Sequence, residues 1–183
     1  MKTPVLETAR LILRPVTLYD VPAIQKHFNH WDIIKYIANS PWPYPSDGAL
    51  THIRDTVLPL MEEEKMHAWA ITLKGQDGKF VGLISFHFEG DDNRGFWLAL
   101  EFHRQGLMTE AVTIVNDFIF DVLGVERFKV RNMKSNIGSH KIKEKTGGRV
   151  VAETVERFAN GRVESMEIWE ITKQSWAQAK SAF

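Results

Sequence analysis

One segment, Gly95–Ala111 (GFWLALEFHRQGLMTEA), constrains the possible fold of this chain more than any other. Its first half is a nearly continuous apolar run, which is typical of a strand buried on both faces. Its second half opens an amphipathic helix, because apolar residues recur at three- and four-residue steps from Met108 to Val122. Gly106 stands between the two and can adopt backbone angles that other residues avoid. The segment therefore predicts a buried strand that turns through a glycine into a helix.

A turn of this kind suggests an anionic ligand. The first N–H groups of a helix have no partner within the helix, and the helix dipole favours negative charge at that end. Phosphate groups bind at such helix starts. An ordinary strand–helix turn of any α/β protein would have the same pattern, so this segment alone leaves both interpretations open.

Length, charge and composition narrow the class of protein. The 183 residues predict one domain spanning residues 1–183. Lys plus Arg and Asp plus Glu are equal at 23 each, which is unlike a dedicated nucleic-acid binder, so we expect no nucleic-acid partner. The absence of cysteine excludes disulfides, thiol nucleophiles and thiolate metal sites, and we expect no metal. Because no apolar run approaches the roughly 18 residues of a membrane span and the N-terminus lacks a signal-peptide core, we expect no membrane partner and a cytoplasmic location.

The remaining periodicity predicts an ordered series of strands and helices. In chain order these are a strand (Leu11–Val16), a helix (Leu18–Asn29), a short helix (Trp31–Ala38), a helix from Ser46 to about Lys65, two strands (His67–Lys74 and Phe80–Glu89), the central strand (Gly95–Phe102), the long helix, a strand (Arg127–Met133), a short helix ended by Gly147–Gly148, two strands (Arg149–Phe158 and Val163–Thr172) and a terminal helix (Lys173–Phe183). The turns GQDG and ANGR predict a hairpin within each strand pair. This order predicts an α/β fold, with a sheet covered by helices on both faces.

Three motifs resemble the GNAT superfamily of N-acetyltransferases. HRQGLMTEA resembles its pyrophosphate-binding segment, Q/R-x-x-G-x-G/A, with His103 and Met108 at positions where that pattern has other residues. The opening LETARLILRPVTLYD resembles the N-terminus of the RimJ/RimL-type branch, the ribosomal-protein N-terminal acetyltransferases and their relatives. Asn136 and Ser139 form an N-x-x-S arrangement ahead of a glycine, similar to a third segment of the family. The resemblance extends over about residues 6–172.

The resemblance implies a fold and a cosubstrate. The fold would be a GNAT-like single domain, with a mixed, mostly antiparallel sheet of about seven strands that is splayed beside the central strand. Acetyl-CoA would be the acetyl donor, with its pyrophosphate on the helix start and its pantetheine along the central strand. The residues so implied in cofactor binding are Leu98, Ala99, Leu100, His103, Arg104, Gln105, Gly106, Leu107, Met108, Thr109, Asn136 and Ser139.

The implied reaction is direct attack on the thioester by a primary amine, either a protein N-terminal α-amine or a small amine. By resemblance, Ser139 would give a proton to the departing thiolate, although Asn and Ser are also ordinary helix-start residues. His87, on the strand next to the central one, is a second catalytic candidate, but a lone strand histidine is usually structural. Trp42 and Tyr44 lie on a proline-rich loop and would either line the acceptor pocket or cover the core.

Two broader alternatives also remain open. From Glu126 to Arg149 there are eight Lys/Arg residues against two Glu. They could attract the phosphates of coenzyme A, form a solvated helix face or contact RNA, although the neutrality of the whole chain argues against RNA. The alternative function is a protein of the same fold that binds acetyl-CoA or CoA without turnover, which His103 and the lack of an evident base permit. The chain is expected to be a monomer or a homodimer, the latter being common among similar proteins.

Overall fold

The computed structural model describes residues 1–181, which form two β-sheets and the helices that cover them. The strands within this range are β1 (Leu6–Glu7), β2 (Leu11–Pro15), β3 (Met66–Leu73), β4 (Phe80–His87), β5 (Arg94–Leu98), β6 (Arg127–Met133), β7 (Arg149–Arg157) and β8 (Val163–Thr172). The α-helices are α1 (Val21–Phe28), α2 (Trp31–Ile34), α3 (Gly48–His52), α4 (Leu58–Glu62), α5 (Leu107–Asp117), α6 (Ile137–Lys145) and α7 (Lys173–Lys180). Short π-helical turns join α3 to α4 and extend α5.

The strands form a five-stranded sheet in the order β1-β2-β3-β4-β5 and a three-stranded sheet in the order β6-β8-β7. Every ladder between the described strands is antiparallel. The two sheets diverge between β5 and β6, which is the splay beside the central strand that the family resemblance implied. They are joined at one corner, where the Asn93 N–H donates to the Lys129 carbonyl at 2.8 Å and the Arg131 N–H donates to Asp92 Oδ1 at 2.9 Å.

Helices cover both faces of the five-stranded sheet because its central strands are apolar on both faces. In β3, Trp69 and Ile71 belong to the cluster that α5 completes, whereas Ala68 and Ala70 belong to the cluster beneath α1, α3 and α4. On α5, the residues Ala111, Val112 and Val115 are fully buried, as the three- and four-residue steps predict. The predicted α/β architecture with helices on both faces is therefore confirmed.

Element ends differ from the sequence predictions in a few places. The central strand ends at Leu98 rather than Phe102, because the chain coils into a 3₁₀ turn at Leu100–Phe102. The helix for which Ser46 was the predicted cap has Asp47 as its N-cap and begins at Gly48. The terminal helix ends at Lys180, and the last two residues of its predicted range lie outside the described residues. Within residues 1–181, no helix is both long enough and apolar enough to cross a membrane.

Candidate functional site

A groove of about 800 Å³ lies between the two sheets and runs from α6 to the start of α5. This volume is near the upper end of the usual range for ligand sites. One wall is β5, through Phe96, Trp97 and Leu98, and the opposite wall is the first half of α6. The segment between β5 and α5 closes one end of the groove. The groove therefore brings together two of the three motifs, the loop before α5 and the segment from Asn136 to Ser139.

The start of α5 is an open helix terminus in this groove. Gly106 is its N-cap and has φ of 76°, a left-handed angle that favours glycine, and no side chain among the described residues caps the helix. The first bond from the loop into the helix is from the Glu110 N–H to the Gly106 carbonyl at 3.1 Å. The N–H groups of the preceding turn, from Leu107 to Thr109, therefore lack intrahelical acceptors. This end of the groove suits a phosphate group.

Arg10, from the N-terminal motif, holds the loop in place. Its Nη1 donates to the Gln105 carbonyl at 2.9 Å, and its Nε donates to Glu110 Oε2 at 2.7 Å. One side chain thus connects the last residues of the loop to the first turn of α5. The two motifs, almost 100 residues apart in the chain, are parts of one structure.

His103 lies between the loop and the end of β5. Its ring Nε2 is 2.9 Å from the Leu98 carbonyl oxygen, and its backbone N–H donates to the Leu100 carbonyl at 3.1 Å. Because a carbonyl oxygen can only accept a hydrogen bond, Nε2 carries the proton in this arrangement. A carbonyl oxygen has two lone pairs, so Leu98 and Leu100 can each accept a second bond. The roles predicted for Leu98, Ala99, Leu100 and His103 in cofactor binding stay predictions.

A second cavity, of about 540 Å³, lies on the opposite side of the splay. Its acidic lining residues are Glu89, Asp91, Asp92 and Glu156. His87 also lines it, and burial lowers the pKa of its imidazole below the ordinary value, so the ring is neutral at pH 7. Glu156 pairs with Arg131, whereas Glu153 on the other face of β7 pairs with Lys134. Arg94, Arg131 and Lys143 also line this cavity, so its four carboxylates lie beside three cationic side chains.

Ser139 lies where the two cavities meet, since it lines both of them. It is on the first turn of α6, whose N-cap Asn136 accepts the Ser139 N–H on its Oδ1 at 3.2 Å. The N-x-x-S arrangement therefore starts a helix, in agreement with the interpretation of Asn136 and Ser139 as ordinary helix-start residues. It also places a serine hydroxyl between the groove and the second cavity.

Lys143 is one helical turn after Ser139 and is almost fully buried, with 3% of its surface exposed. Its Nζ donates to Ser139 Oγ at 2.6 Å and to Asn132 Oδ1 at 3.3 Å. Burial, together with the nearby charge of Arg94, lowers the pKa of Lys143 from 10.5 to about 7. In the sequence Lys143 belongs to the basic cluster between Glu126 and Arg149, for which a phosphate-attracting patch and a solvated helix face were both open. The available signal was its four-residue spacing from Ser139, which puts both side chains on one helix face.

Arg94 is a second buried cation that sequence reasoning missed. It is 3% exposed, bonds to the Asn116 side chain and lies 5.2 Å from the ring centre of Phe128. Burial lowers its pKa to about 9. Its Nε and Nη2 have no hydrogen-bond partner within residues 1–181. The sequence feature that could have indicated a buried cation is the position of Arg94, a charged residue at the start of an otherwise apolar strand.

Two predicted acceptor residues lie away from both cavities. Tyr44 packs edge-on against Phe28 at 5.1 Å within a core cluster, and burial raises its pKa to about 12. Trp42 packs against Trp31 at 5.4 Å and is 40% exposed. The position of Tyr44 favours the alternative that it covers the core. A role for either residue in the acceptor pocket stays a prediction.

Comparison with known proteins identifies the family. A family model described as an acetyltransferase (GNAT) domain matches residues 10–149. The chain belongs to the GNAT acetyltransferase family. This GNAT protein is an N-acetyltransferase, and the predicted membership of the GNAT superfamily is confirmed. One relative is YoaA of Bacillus subtilis (strain 168), described as an uncharacterized N-acetyltransferase. It is 28% identical over 148 residues, which cover 79% of this chain and 82% of that protein.

Solved structures of the same fold include two acetyltransferases with named substrates. The ribosomal-protein-S5-alanine acetyltransferase of Vibrio fischeri has 16% identity and a TM-score of 0.77, over 94% of this chain and 98% of that one. The spermidine N-acetyltransferase of Vibrio cholerae, solved with CoA and spermine, has 16% identity and a TM-score of 0.77, over 93% of this chain and 99% of that one. At these identities the likeness establishes the GNAT fold of this chain.

Proposed function

We propose that this GNAT protein transfers an acetyl group from acetyl-CoA directly to a primary amine, as one domain spanning residues 1–183. The observation that carries the proposal is the position of Ser139. Its hydroxyl lies between a groove that ends on an open helix terminus and a cavity lined with carboxylates. A donor with phosphates would enter from the first side, and a cationic amine would enter from the second.

The groove fits acetyl-CoA in its charge and in its hydrogen-bond donors. The N–H groups from Leu107 to Thr109 would bind the pyrophosphate, and Arg104 and Lys141, which line the groove, would add positive charge. The pantetheine would lie along the edge of β5 towards Asn136. When bound, the cosubstrate supplies a thioester whose acyl carbon is open to attack by an amine.

The acceptor is proposed to be a protein N-terminal α-amine or a small amine such as a polyamine. Glu89 and Asp91 in the lining of the second cavity would bind either one, because both are cationic at neutral pH. Removing the proton from an α-amine costs about 1 kcal/mol at pH 7, whereas a lysine-like amine costs about 4.6 kcal/mol. A RimJ/RimL-type protein acetyltransferase therefore needs only a modest base. The N-terminal motif that includes Arg10 supports this branch of the family.

Ser139 and His87 are proposed to handle the protons. Ser139 Oγ–H would protonate the departing sulfur, and the neutral His87 ring would accept a proton from the amine, directly or through water. His87 suits this role because burial keeps its imidazole uncharged at pH 7. Ser139→Ala should lower kcat by about 100-fold and change the Kd of acetyl-CoA by less than twofold. Unchanged kcat would remove the proposed role of Ser139.

The decisive experiment measures thiol release from acetyl-CoA with two groups of acceptors. The first group is peptides with N-terminal Ala, Ser or Met, and the second is spermidine, spermine and free lysine. Turnover with a member of either group supports acetyl transfer and distinguishes the substrate classes. Protection against heating by CoA, with no turnover on any acceptor, would favour the alternative of a non-catalytic CoA-binding protein. The oligomeric state and the cytoplasmic location stay predictions.

A further inference from the structure

We propose that Lys143 and Ser139 form a proton relay between the two cavities, in which Lys143 replaces the proton that Ser139 gives to the departing sulfur. The proposal rests on the proposed function of this site and assigns a task to a residue outside the predicted set. Lys143 acts through Ser139, so it is a positioning and proton-supplying residue.

The contacts of Lys143 support a relay. Its Nζ is 2.6 Å from Ser139 Oγ, the distance of a strong hydrogen bond to a hydroxyl. Lys143 lines the second cavity, whereas Ser139 lines both cavities, so the pair connects one side of the splay to the other. Asn132 Oδ1 holds the ammonium or amine from the opposite side at 3.3 Å. The ring of Phe96, 5.4 Å away, covers it from β5.

Burying the side chain of Lys143 lowers the stability of the folded protein, which suggests that the residue is kept for its function. Lys143 makes no ion pair within the part of the chain that the structure describes, although burial disfavours its charged form. The charged groups that act on it come from three neighbours: Arg94 at the head of β5 disfavours the charge, whereas Asp92 in the β4–β5 turn and Glu167 on β8 favour it. A methionine would fill the same space without these electrostatic effects. These opposing effects give Lys143 a pKa of about 7, so its amine both donates and accepts protons readily near neutral pH.

The proton balance of acetyl transfer gives the relay its task. The amide C–N bond forms, the C–S bond breaks with its electron pair going to sulfur, the nitrogen loses one proton and the sulfur gains one. In the relay, Ser139 Oγ–H gives its proton to sulfur, and Lys143 Nζ–H gives a proton to Ser139 Oγ. Lys143 then recovers a proton that originates from the amine, through the second cavity. The net change is amine plus thioester to amide plus thiol, and both side chains return to their starting states.

The first test requires no turnover. In protein labelled with ¹³C at the lysine Cε, the resonance absent from Lys143→Arg identifies Lys143, and its shift is followed from pH 5 to pH 11. We expect a midpoint near pH 7. We also expect that midpoint to move in Ser139→Ala, because the relay partner of the amine is lost. A midpoint above pH 9, or one unaffected by Ser139→Ala, would overturn the relay.

The second test uses kcat with the best acceptor from the thiol-release panel. Lys143→Met and Lys143→Arg should each lower kcat by about 100-fold while the KM of acetyl-CoA changes less than twofold. Lys173→Met, which removes an exposed lysine at the start of α7, is the matched control and should keep wild-type kcat. Adding Lys143→Met to Ser139→Ala should have little further effect, because the two residues act as a unit.

The outcomes separate this inference from the proposed function. Wild-type kcat and an unchanged pH profile in Lys143→Met would refute the relay but leave acetyl transfer intact. Multiplicative losses in the double variant would also refute it, because they indicate independent roles. If no amine is acetylated, the proposed function fails and the relay fails with it, whereas a relay refuted by Lys143→Met leaves acetyl transfer measurable. Circular dichroism of Lys143→Met verifies that the variant is folded.

Discussion

The buried lysine makes a quantitative prediction about stability and pH. Lys143 has a folded-state pKa of about 7 against 10.5 as the ordinary value, so the unfolded chain binds its proton more tightly than the folded one. The unfolded state therefore carries more protons between these values, and the free energy of unfolding must rise with pH across that window. The full shift corresponds to about 5 kcal/mol, of which about 2 kcal/mol develops between pH 7 and pH 9. Lys143→Met removes this dependence.

Urea unfolding, followed by tryptophan fluorescence at pH 6, 7, 8 and 9, measures the effect. Trp69 and Trp169 are buried and report loss of both sheets. The quantity to plot is the free energy of unfolding of the wild type minus that of Lys143→Met, since other titrating groups cancel in this difference. It should be nearly flat below pH 7 and then rise by about 2 kcal/mol to pH 9. The same difference for Lys173→Met should not rise. A wild-type minus Lys143→Met difference that stays constant from pH 6 to pH 9 would refute the assignment of a neutralised buried lysine.

Three further predictions concern the backbone and the loop at the groove. Gly106→Val should abolish CoA binding in calorimetry while the circular dichroism spectrum stays native, because a β-branched residue does not keep the φ of 76° that shapes this helix start. Retained binding would contradict the loop assignment. Gly147→Ala should destabilise by about 3 kcal/mol in urea, since its Cβ would lie 2.4 Å from a backbone oxygen of α7. Gly161→Ala, with a similar φ of 83° and no neighbour within 4 Å, should lose only about 1 kcal/mol, and equal losses would refute the steric argument. Arg10→Met should weaken CoA binding about tenfold by releasing the Gln105 carbonyl, and calorimetry showing unchanged affinity would mean that the loop keeps its shape unaided.

The features predictable from sequence were those that depend on local pattern. Three- and four-residue steps identified α5, and the Asn-Gly turn identified the last hairpin, because short-range geometry determines both. The end of β5 was predicted four residues too late, since the apolar run continues past Leu98 into a 3₁₀ turn. Composition does not distinguish a buried strand from a buried turn.

Two of the segments predicted to form the site lie together in the fold, but the sequence did not indicate the two buried cations beside them. The loop and the N-x-x-S segment meet at one groove, as their order along the chain suggested. Lys143 and Arg94 were missed because lysine and arginine are normally exposed, and only tertiary packing buries them. The basic residues from Glu126 to Arg149 do not form one patch. Arg131 and Lys134 make ion pairs with Glu156 and Glu153, Lys143 is buried, and Lys141 lines the groove.

The corner that joins the two sheets determines the aperture of the site. Phe96 is carried by one sheet and Ser139 by the segment that follows β6 of the other, and the turn at Asp92 and Asn93 links the two. β5 extends about 16 Å from that corner, so a small rotation at the corner displaces the far end of the strand. A tilt of about 5° at the corner would shift its far end by on the order of 1 Å, enough to admit or exclude a methyl group. Substitutions in this turn can therefore retune which acceptors fit while every reacting side chain stays the same.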